Sequence, residues 1–198
     1  IFAGGQFSIF NGSGVNGIVR LNTNGSIDAT FNIGTGANGA VNASALQPDG
    51  KLIIGGVFVS YNGTTVNRIT RLNTNGSIDA TFNSGTGANS RVYEITTQSD
   101  GKILVGGLFT TYNGAASVRI MRLDTSGNID PTFITGIGAT NTVSSFAFQS
   151  DGKIIVGGYL TPYNNVSRPY CMRLNTNGVL YRSFNIATGV TAVVLSIS

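Results

Sequence analysis

The chain has 198 residues, of which 41% are hydrophobic and 10% are charged. This is enough apolar material for a sizeable core, and it argues against disorder. Glycine is abundant at 28 residues while proline is scarce at 4, which excludes collagen-like and polyproline structures. The net charge of +4 arises from cations spread along the chain, whereas nucleic-acid binding needs a cluster of them. We therefore expect no nucleic-acid partner.

The single cysteine and the hydropathy of the chain narrow its class further. Cys171 has no possible disulfide partner within the chain, so cysteine usage does not indicate a redox compartment. No apolar run approaches the ~18 residues of a membrane span, and we expect no membrane insertion. The chain starts at Ile1 with neither methionine nor signal peptide, which indicates a processed product or an excerpt.

Self-similarity at a fixed spacing dominates the sequence. A glycine pair, an Arg-Leu pair and a phenylalanine each recur every 51 residues without an insertion. The glycine pairs begin at Gly4, Gly55, Gly106 and Gly157. The repeat units cover approximately residues 1–45, 46–96, 97–147 and 148–198 of a single domain, 1–198. Cys171 takes a position that isoleucine fills in the other three copies, which predicts a buried apolar role. Repeats of this kind bury their apolar faces by stacking on one another.

Four strands are predicted within each unit, shown here for the third copy. They cover residues 92–98, 102–111, 118–124 and 128–134. Between them stand the turn pairs Asp100-Gly101, Asn113-Gly114 and Ser126-Gly127. Glycine at such a pair supplies the positive φ that a tight hairpin requires. The glycine pair inside the second strand suits a kink or a close approach of two backbones.

This arrangement predicts an all-β fold. Four antiparallel strands in a unit of this length are typical of a β-propeller blade, so we expect a β-propeller built of four-stranded antiparallel blades. A parallel β-helix is the alternative, but its coils are shorter and lack hairpins. The two ends of the chain fall on either side of the same hairpin turn. The four repeats therefore form either a closed four-bladed ring or part of a larger propeller.

The unit ALQPDGKLIIGGVFVSYNG…RITRLNTNGSIDATFN resembles the delta-60 repeat, a bacterial propeller-repeat family, in all four copies. Its most specific parts are PDGK or SDGK, the following GG-x-F, RLN and NGSIDATF. The resemblance implies a β-propeller within a larger secreted or cell-surface bacterial protein, and it carries no catalytic residues. The fourth copy departs most, because Tyr181 stands where the other copies have aspartate and Leu160 replaces a phenylalanine.

The recurring charges have a structural and a functional interpretation. Arg71 and Asp79 flank an Asn-Gly hairpin, which places the two side chains within diagonal reach of each other. We expect them to be hydrogen-bonded; the alternative is a ring of guanidinium groups that binds an acidic ligand. The turn beginning at Asp124 is similar to a calcium loop but offers too few carboxylates for a calcium site. We expect no metal or other cofactor.

The aromatic residues Phe10, Tyr61, Tyr112 and Tyr163 each precede an asparagine at a turn. Such residues can stack on sugars or anchor a partner protein, and this set is the sequence-based candidate for a ligand or partner contact surface. The alternative is that they pack at the ends of the blades. A carbohydrate-binding propeller requires some of the tyrosines to be exposed.

The absence of histidine removes the Ser-His-Asp and Cys-His arrangements, and Glu94 is the single glutamate. An enzyme would need carboxylates that converge on the propeller axis. We expect no enzyme, but a structural or protein-interaction module whose partners are other domains of the same polypeptide or other proteins. A carbohydrate-binding or adhesive propeller that recognises surface glycans is the alternative.

Overall fold

The structure, a computed structural model, describes residues 1–160, 162–184 and 190–197. In these ranges every regular element is a β-strand, which confirms the all-β prediction. The strands are β1 (Phe2–Gly4), β2 (Ile9–Phe10), β3 (Ser13–Gly14), β4 (Ile18–Arg20), β5 (Val41–Leu46), β6 (Leu52–Gly56), β7 (Ser60–Tyr61), β8 (Thr64–Thr65), β9 (Ile69–Leu72), β10 (Val92–Thr97), β11 (Ile103–Gly107), β12 (Thr111–Tyr112), β13 (Ala115–Ala116), β14 (Ile120–Leu123), β15 (Val143–Phe148), β16 (Ile154–Gly158) and β17 (Cys171–Leu174). The described residues contain no helix that has the length and apolarity to cross a membrane.

The longer strands form four antiparallel sheets that follow one another along the chain. Sheet 1 pairs β1 with β4, sheet 2 has the order β5-β6-β9, sheet 3 has β10-β11-β14 and sheet 4 has β15-β16-β17. The hairpins β2-β3, β7-β8 and β12-β13 stand beside these sheets. We call β5, β10 and β15 the inner strands. Each of them is joined by a hairpin to the middle strand of its sheet.

The predicted four-stranded blade is wrong at its fourth strand, which in sheet 3 is reduced to a single bridge between Leu123 and Ile129. The Asp130 amide still donates to the Arg122 carbonyl at 2.8 Å. The chain then turns, because the Asp130 carboxylate accepts hydrogen bonds from the Thr132 amide at 2.9 Å and the Thr132 hydroxyl at 2.7 Å. A side chain that satisfies nearby backbone in this way competes with the strand ladder.

The hairpin turns lie where the sequence predicts them. Gly101 has a φ of 81° and donates to the Gln98 carbonyl at 2.9 Å. Between β12 and β13, Asn113 and Gly114 both have positive φ, 48° and 78°. Two positive φ angles in a two-residue loop match the right-handed twist of the flanking strands.

The glycine pairs of sheets 2 to 4 lie within the middle strands, as predicted, and they allow the sheets to approach closely. A β-carbon on Gly55 would lie 2.5 Å from Ile95 Cδ1 and 2.6 Å from Val92 Cγ1 of the next inner strand. Gly106 faces Val143 and Phe146 in the same manner. The glycines therefore fix the spacing between successive sheets.

The apolar core is divided into three clusters, each between two successive sheets. The first joins Ile18 of sheet 1 to Ile54 of sheet 2. The second joins residues of sheets 2 and 3, and the third joins Leu104 of sheet 3 to Val156 of sheet 4. Burial of one such side chain contributes about 1.5–3 kcal/mol. Stability therefore depends on stacking between repeats, as the sequence predicts.

Candidate functional site

The tyrosines proposed as a contact surface belong to the core. Tyr61, Tyr112 and Tyr163 have no exposed surface, and their hydroxyls donate to the carbonyls of Gly76, Gly127 and Gly178 at 2.9, 2.9 and 3.1 Å. Burial raises the pKa of each hydroxyl. The prediction of an exposed contact surface is wrong for these three residues, because each ring fills the gap between its hairpin and the next turn. Phe10 is partly buried and packs on the first core cluster.

The predicted contact between Arg71 and Asp79 is confirmed, with Arg71 Nε 2.7 Å from Asp79 Oδ2. The same carboxylate oxygen accepts a hydrogen bond from Lys51 Nζ at 2.9 Å. Burial would raise the pKa of Asp79, but hydrogen bonds from Lys51, Thr81 and Arg71 outweigh it and hold the pKa well below its ordinary value. Sheet 3 repeats this group with Arg122, Asp130 and Lys102. In each of these groups a lysine and an arginine bind a carboxylate that the chain itself supplies.

The same arginines connect successive sheets. Arg71 Nη1 donates to the Thr125 carbonyl in the turn after β14 at 2.6 Å. Arg20 and Arg122 bond in the same way to the next turns. The Arg71 guanidinium also lies 5.0 Å from the centroid of the Phe82 ring, and that ring packs against Gly127. These contacts between sheets account for the recurrence of the arginines. They argue against the alternative in which the guanidinium groups form a ring that binds an acidic ligand.

The calcium-like turn is satisfied by its own backbone. Asp124 Oδ1 accepts hydrogen bonds from the amides of Ser126 at 2.9 Å and Asn128 at 2.8 Å. Burial would raise the pKa of Asp124, but these bonds outweigh it and lower the pKa. In the part of the chain that the structure describes, no three His, Cys, Asp or Glu residues are grouped to hold a metal ion.

Glu94 and Cys171 are two further titratable groups whose pKa is raised by burial. Burial raises the pKa of Glu94 to about 7. The carboxyl group does not recur, because the neighbouring copies have Ala43 and Ser145 at this position. Burial also raises the pKa of the Cys171 thiol, which is half-buried at the start of β17. A raised thiol pKa opposes a nucleophilic role for Cys171.

A cavity of about 760 Å³, which we call the central cavity, lies between the inner strands. The repeat position just after the start of each inner strand lines it, contributing Asn42, Tyr93 and Ser144, and Leu195 stands one further repeat along the chain. The described lining is completed by Gly4, Gly5, Val41, Asn141, Thr142, Tyr159 and Val193, and none of these side chains is charged.

Two partly exposed tyrosines give the central cavity its chemical character. Tyr159 is 42% exposed and makes an edge-to-face contact with Tyr170 at 5.7 Å. Tyr93 contacts Arg91 through its hydroxyl, at 3.5 Å. Sequence reasoning missed both tyrosines because it examined aromatics that recur in every copy. Their departure from the repeat, where Asn42 and Ser144 replace Tyr93, is the signal that identifies them.

Successive antiparallel sheets that stack through their faces around a shared cavity define a propeller-type repeat protein. A family model for a domain of unknown function, the DUF5122 β-propeller, matches residues 1–31, 47–82, 98–133 and 149–184. The chain therefore belongs to the DUF5122 β-propeller family. The four matches reproduce the 51-residue spacing and confirm that the repeats are those of a propeller.

Two solved structures are similar at low identity. One is a protein of unknown function from Bacteroides caccae, with 13% identity, coverage of 83% of this chain and 73% of that one, and a TM-score of 0.32. The other is the extracellular domain of the putative hybrid two-component system BT4673 from B. thetaiotaomicron, with 15% identity and a TM-score of 0.35. That match covers 80% of this chain and 24% of the other. No curated protein matches the chain.

Proposed function

We propose that the chain is a non-enzymatic binding module, a β-propeller that presents its central cavity to partner proteins or to other domains of the same polypeptide. We place it in a secreted or cell-surface bacterial protein, as the sequence resemblance implies. The recurring carboxylates and arginines are engaged in contacts within and between sheets. These contacts leave the described residues without a free acid–base pair of the kind that hydrolysis would need.

One observation carries this proposal: the repeats are nearly identical in their scaffold but differ where they line the cavity. The glycine pair, the Arg-Leu pair and the buried aromatic before each turn recur in all four copies. The cavity position instead holds Asn42, Tyr93, Ser144 and Leu195. Four different side chains at one position of a repeated scaffold suit the recognition of one asymmetric partner.

The proposed module is a closed four-bladed ring. Val194 and Ile197 pack on Gly157 as Val143 and Phe146 pack on Gly106, which supports our proposal that residues 194–197 act as a further inner strand. Gly4 and Gly5 of sheet 1 line the same cavity as Val193 and Leu195. Continuing the register of the other inner strands, which pairs Val143 with Gly158, places Val194 opposite Gly5. Sheet 1 would then have three strands like the others.

Site-specific photo-cross-linking in the intact exported protein tests the proposed function. A cross-linking amino acid replaces Leu195, which is 75% exposed and lines the cavity, and in a matched variant it replaces Ile9, which is 65% exposed outside the cavity. We expect a discrete adduct with one protein or domain from position 195 and none from position 9. Equal adducts from both positions, or none from position 195, would contradict the proposal, as would finding the protein in the cytoplasm.

Carbohydrate binding is the second candidate, now based on the central cavity. Tyr93 and Tyr159 offer aromatic faces, and Asn141 and Thr142 offer an amide and a hydroxyl in an uncharged surrounding, a composition suited to a neutral sugar. We expect glycan-array signals to disappear in the double variant Tyr93→Ala/Tyr159→Ala. They should persist in Phe148→Ala, whose ring is 38% exposed outside the cavity. Signals that survive the double variant would exclude this candidate.

A further inference from the structure

The net positive charge of the chain is concentrated in one repeat. Residues 148–184, which contain most of sheet 4, carry four basic residues and one acidic residue, and thus three of the four net positive charges of the chain. The five residues are Asp151, Lys153, Arg168, Arg173 and Arg182. The corresponding segment of sheet 3, residues 97–133, has three basic and three acidic residues and is neutral. Among the described residues, sheet 4 is therefore the one sheet whose arginine lacks the paired aspartate that the other three sheets supply.

The arginine of sheet 3 shows what its counterpart in sheet 4 lacks. Arg122 donates to Asp130 Oδ2 at 2.8 Å, to the Thr132 hydroxyl at 3.1 Å and to the Thr176 carbonyl at 2.6 Å. It also reaches Gln98 Oε1 at 3.4 Å. The guanidinium of Arg122 thus has an acceptor for each of its three nitrogens.

Arg173 keeps one of these four acceptors. Its Nη1 donates to Gln149 Oε1 at 3.3 Å, while Nε is buried with no hydrogen-bond partner among the described residues. Tyr181 stands at the position of Asp130, and its hydroxyl bonds to Ser183, the counterpart of Thr132. The carboxylate that neutralises the cations of sheet 3 is thereby replaced by a neutral phenol.

Lys153 and Arg173 both lie over that phenol ring. Arg173 Cζ lies 4.2 Å from the Tyr181 centroid, and Lys153 Nζ lies 5.2 Å from it. Lys153 is paired with Asp151, at 2.5 Å, whose side chain is 52% exposed. A cation–π contact at a solvent-exposed site is a weaker interaction than the charge-assisted hydrogen bond that Arg122 donates to Asp130 in sheet 3.

We propose that Lys153 and Arg173 form a binding site for a carboxylate side chain from an acidic segment of a partner protein. This inference rests on the proposed function as a binding module and names the chemistry of one contact. The same Lys-Arg combination holds a carboxylate in sheets 2 and 3, which is the precedent for that group in sheet 4. A cleft of about 350 Å³ beside it, lined by Asp151, Lys153, Asn175, Thr176 and Asn177, offers amides and hydroxyls to the peptide backbone.

A carboxylate fits this site better than a phosphate or a nucleic acid. The equivalent lysine and arginine of sheets 2 and 3 share one carboxylate oxygen, and Asp151 already neutralises part of the positive charge of Lys153. Two cations on one sheet also fall short of the extended basic surface that follows a nucleic-acid backbone.

Fluorescence anisotropy with a labelled peptide of alternating aspartate and glycine tests the site on the whole chain. We expect Arg173→Gln to weaken binding about tenfold or more, the loss expected for one charge-assisted hydrogen bond. Lys153→Gln should weaken binding in the same direction. Tyr181→Asp should also abolish most of the binding, because it restores the internal carboxylate of sheets 2 and 3. Arg91→Gln removes the same charge from an exposed position elsewhere and should leave affinity within about twofold.

Two results would overturn the proposal. The first is equal weakening by Arg91→Gln and Arg173→Gln, which would indicate a non-specific charge effect. The second is displacement of the peptide by inorganic phosphate but not by acetate at equal ionic strength, which would make the site a phosphate site. Urea midpoints of all variants identify any loss of folding, and Lys153→Gln keeps the test decisive if Arg173→Gln unfolds. Cross-linking from position 195 is unaffected by these variants, so the failure of this site and of the proposed function are separate outcomes.

Discussion

Sheets 3 and 4 are built from almost the same sequence, yet the same arginine has different surroundings in each. In sheet 3 the guanidinium of Arg122 is 7% exposed and is paired with Asp130. In sheet 4 Arg173 stacks on Tyr181 and Phe184 and has a single hydrogen-bond acceptor among the residues that the structure describes. Because the backbone positions are equivalent, the difference comes from the Asp-to-Tyr replacement and from the contact with the next turn. Near-identical repeats thus keep a common scaffold, while their departures coincide with the surfaces that we propose for binding.

The largest effect expected from this comparison follows from removing the buried carboxylate. Asp130→Ala leaves Arg122 buried without its counter-ion, which should lower the free energy of unfolding by about 3–5 kcal/mol. Tyr181→Ala at the equivalent position should cost much less, because no buried charge loses its partner there. Urea unfolding of both variants measures the difference. Equal losses would mean that the ion pair of sheet 3 has no special stabilising role.

The same carboxylates set the acid limit of stability. The pKa of Asp130 is lowered: burial would raise it, but hydrogen bonds from Thr132, Lys102 and Arg122 prevail. A lowered folded-state pKa stabilises the protein above the unfolded-state pKa, and this contribution is lost as pH falls through the folded-state value. We therefore expect unfolding below about pH 4 to involve sheets 2 and 3 before sheet 4. Amide exchange resolved by sheet would detect the order.

A smaller effect distinguishes sheet 3 from sheet 1. A β-carbon on Gly107 would overlap the Arg91 carbonyl oxygen, whereas one on Gly5 would meet only the Phe7 ring, at 3.1 Å. Gly107→Ala should cost about 2–3 kcal/mol, since backbone cannot move aside. The proposed closed ring sharpens this prediction, because closure would bring the carbonyl of Val193 to Gly5. Gly5→Ala should then be nearly as damaging, and a mild effect in urea unfolding would argue against closure.

The sequence predicts much of this fold because the features that define it are local and repeated. Asp100-Gly101 and Asn113-Gly114 determine their turns through positive φ, and Gly55 determines a close contact because any side chain there would clash. The fourth strand was not foreseeable from strand propensity, because Asp130 uses its carboxylate on neighbouring backbone instead of leaving the ladder free.

The binding surfaces are harder to predict from sequence than the fold. A pattern search favours recurring residues such as Tyr112, whose recurrence reflects packing. The central cavity depends on Tyr93 and Tyr159, which belong to different sheets and occur once each. Their proximity is a consequence of how the sheets are arranged around the cavity, and no spacing in the sequence encodes it.

A pH-dependent effect of intermediate size separates the inner strands of sheets 3 and 4. The pKa of Glu94 on β10 is raised from 4.5 to about 7 by burial. A raised folded-state pKa gives its full contribution to the free energy of unfolding below the unfolded-state pKa, and this contribution is lost as pH rises through about 7. Glu94→Gln should be more stable than the parent by about 1–2 kcal/mol near pH 8, the full value of the shift being reduced by partial exposure. The two proteins should be equally stable near pH 4.

The control for this prediction lies at the same position of β15. Ser145 has a buried hydroxyl without a hydrogen-bond partner among the described residues, so Ser145→Ala should change stability by the same amount at every pH. Thermal unfolding of both variants across this pH range makes the comparison. A pH-independent effect of Glu94→Gln would show that the Glu94 carboxylate is not desolvated in solution.

The smallest effect concerns the buried tyrosines, and it again separates sheets 3 and 4. The Tyr112 hydroxyl donates to the Gly127 carbonyl at 2.9 Å and also lies 3.2 Å from the Asn83 carbonyl of the preceding repeat. Within the described part of the chain, the Tyr163 hydroxyl reaches the Gly178 carbonyl alone, at 3.1 Å. Tyr112→Phe removes a donor from two buried acceptors and should cost about 1–2 kcal/mol, against about 0.5–1 kcal/mol for Tyr163→Phe. Urea midpoints of the two variants test this order. Neither variant should alter binding at the central cavity, because both rings lie in the core; a loss of ligand binding in Tyr112→Phe at unchanged stability would return this tyrosine to the contact surface.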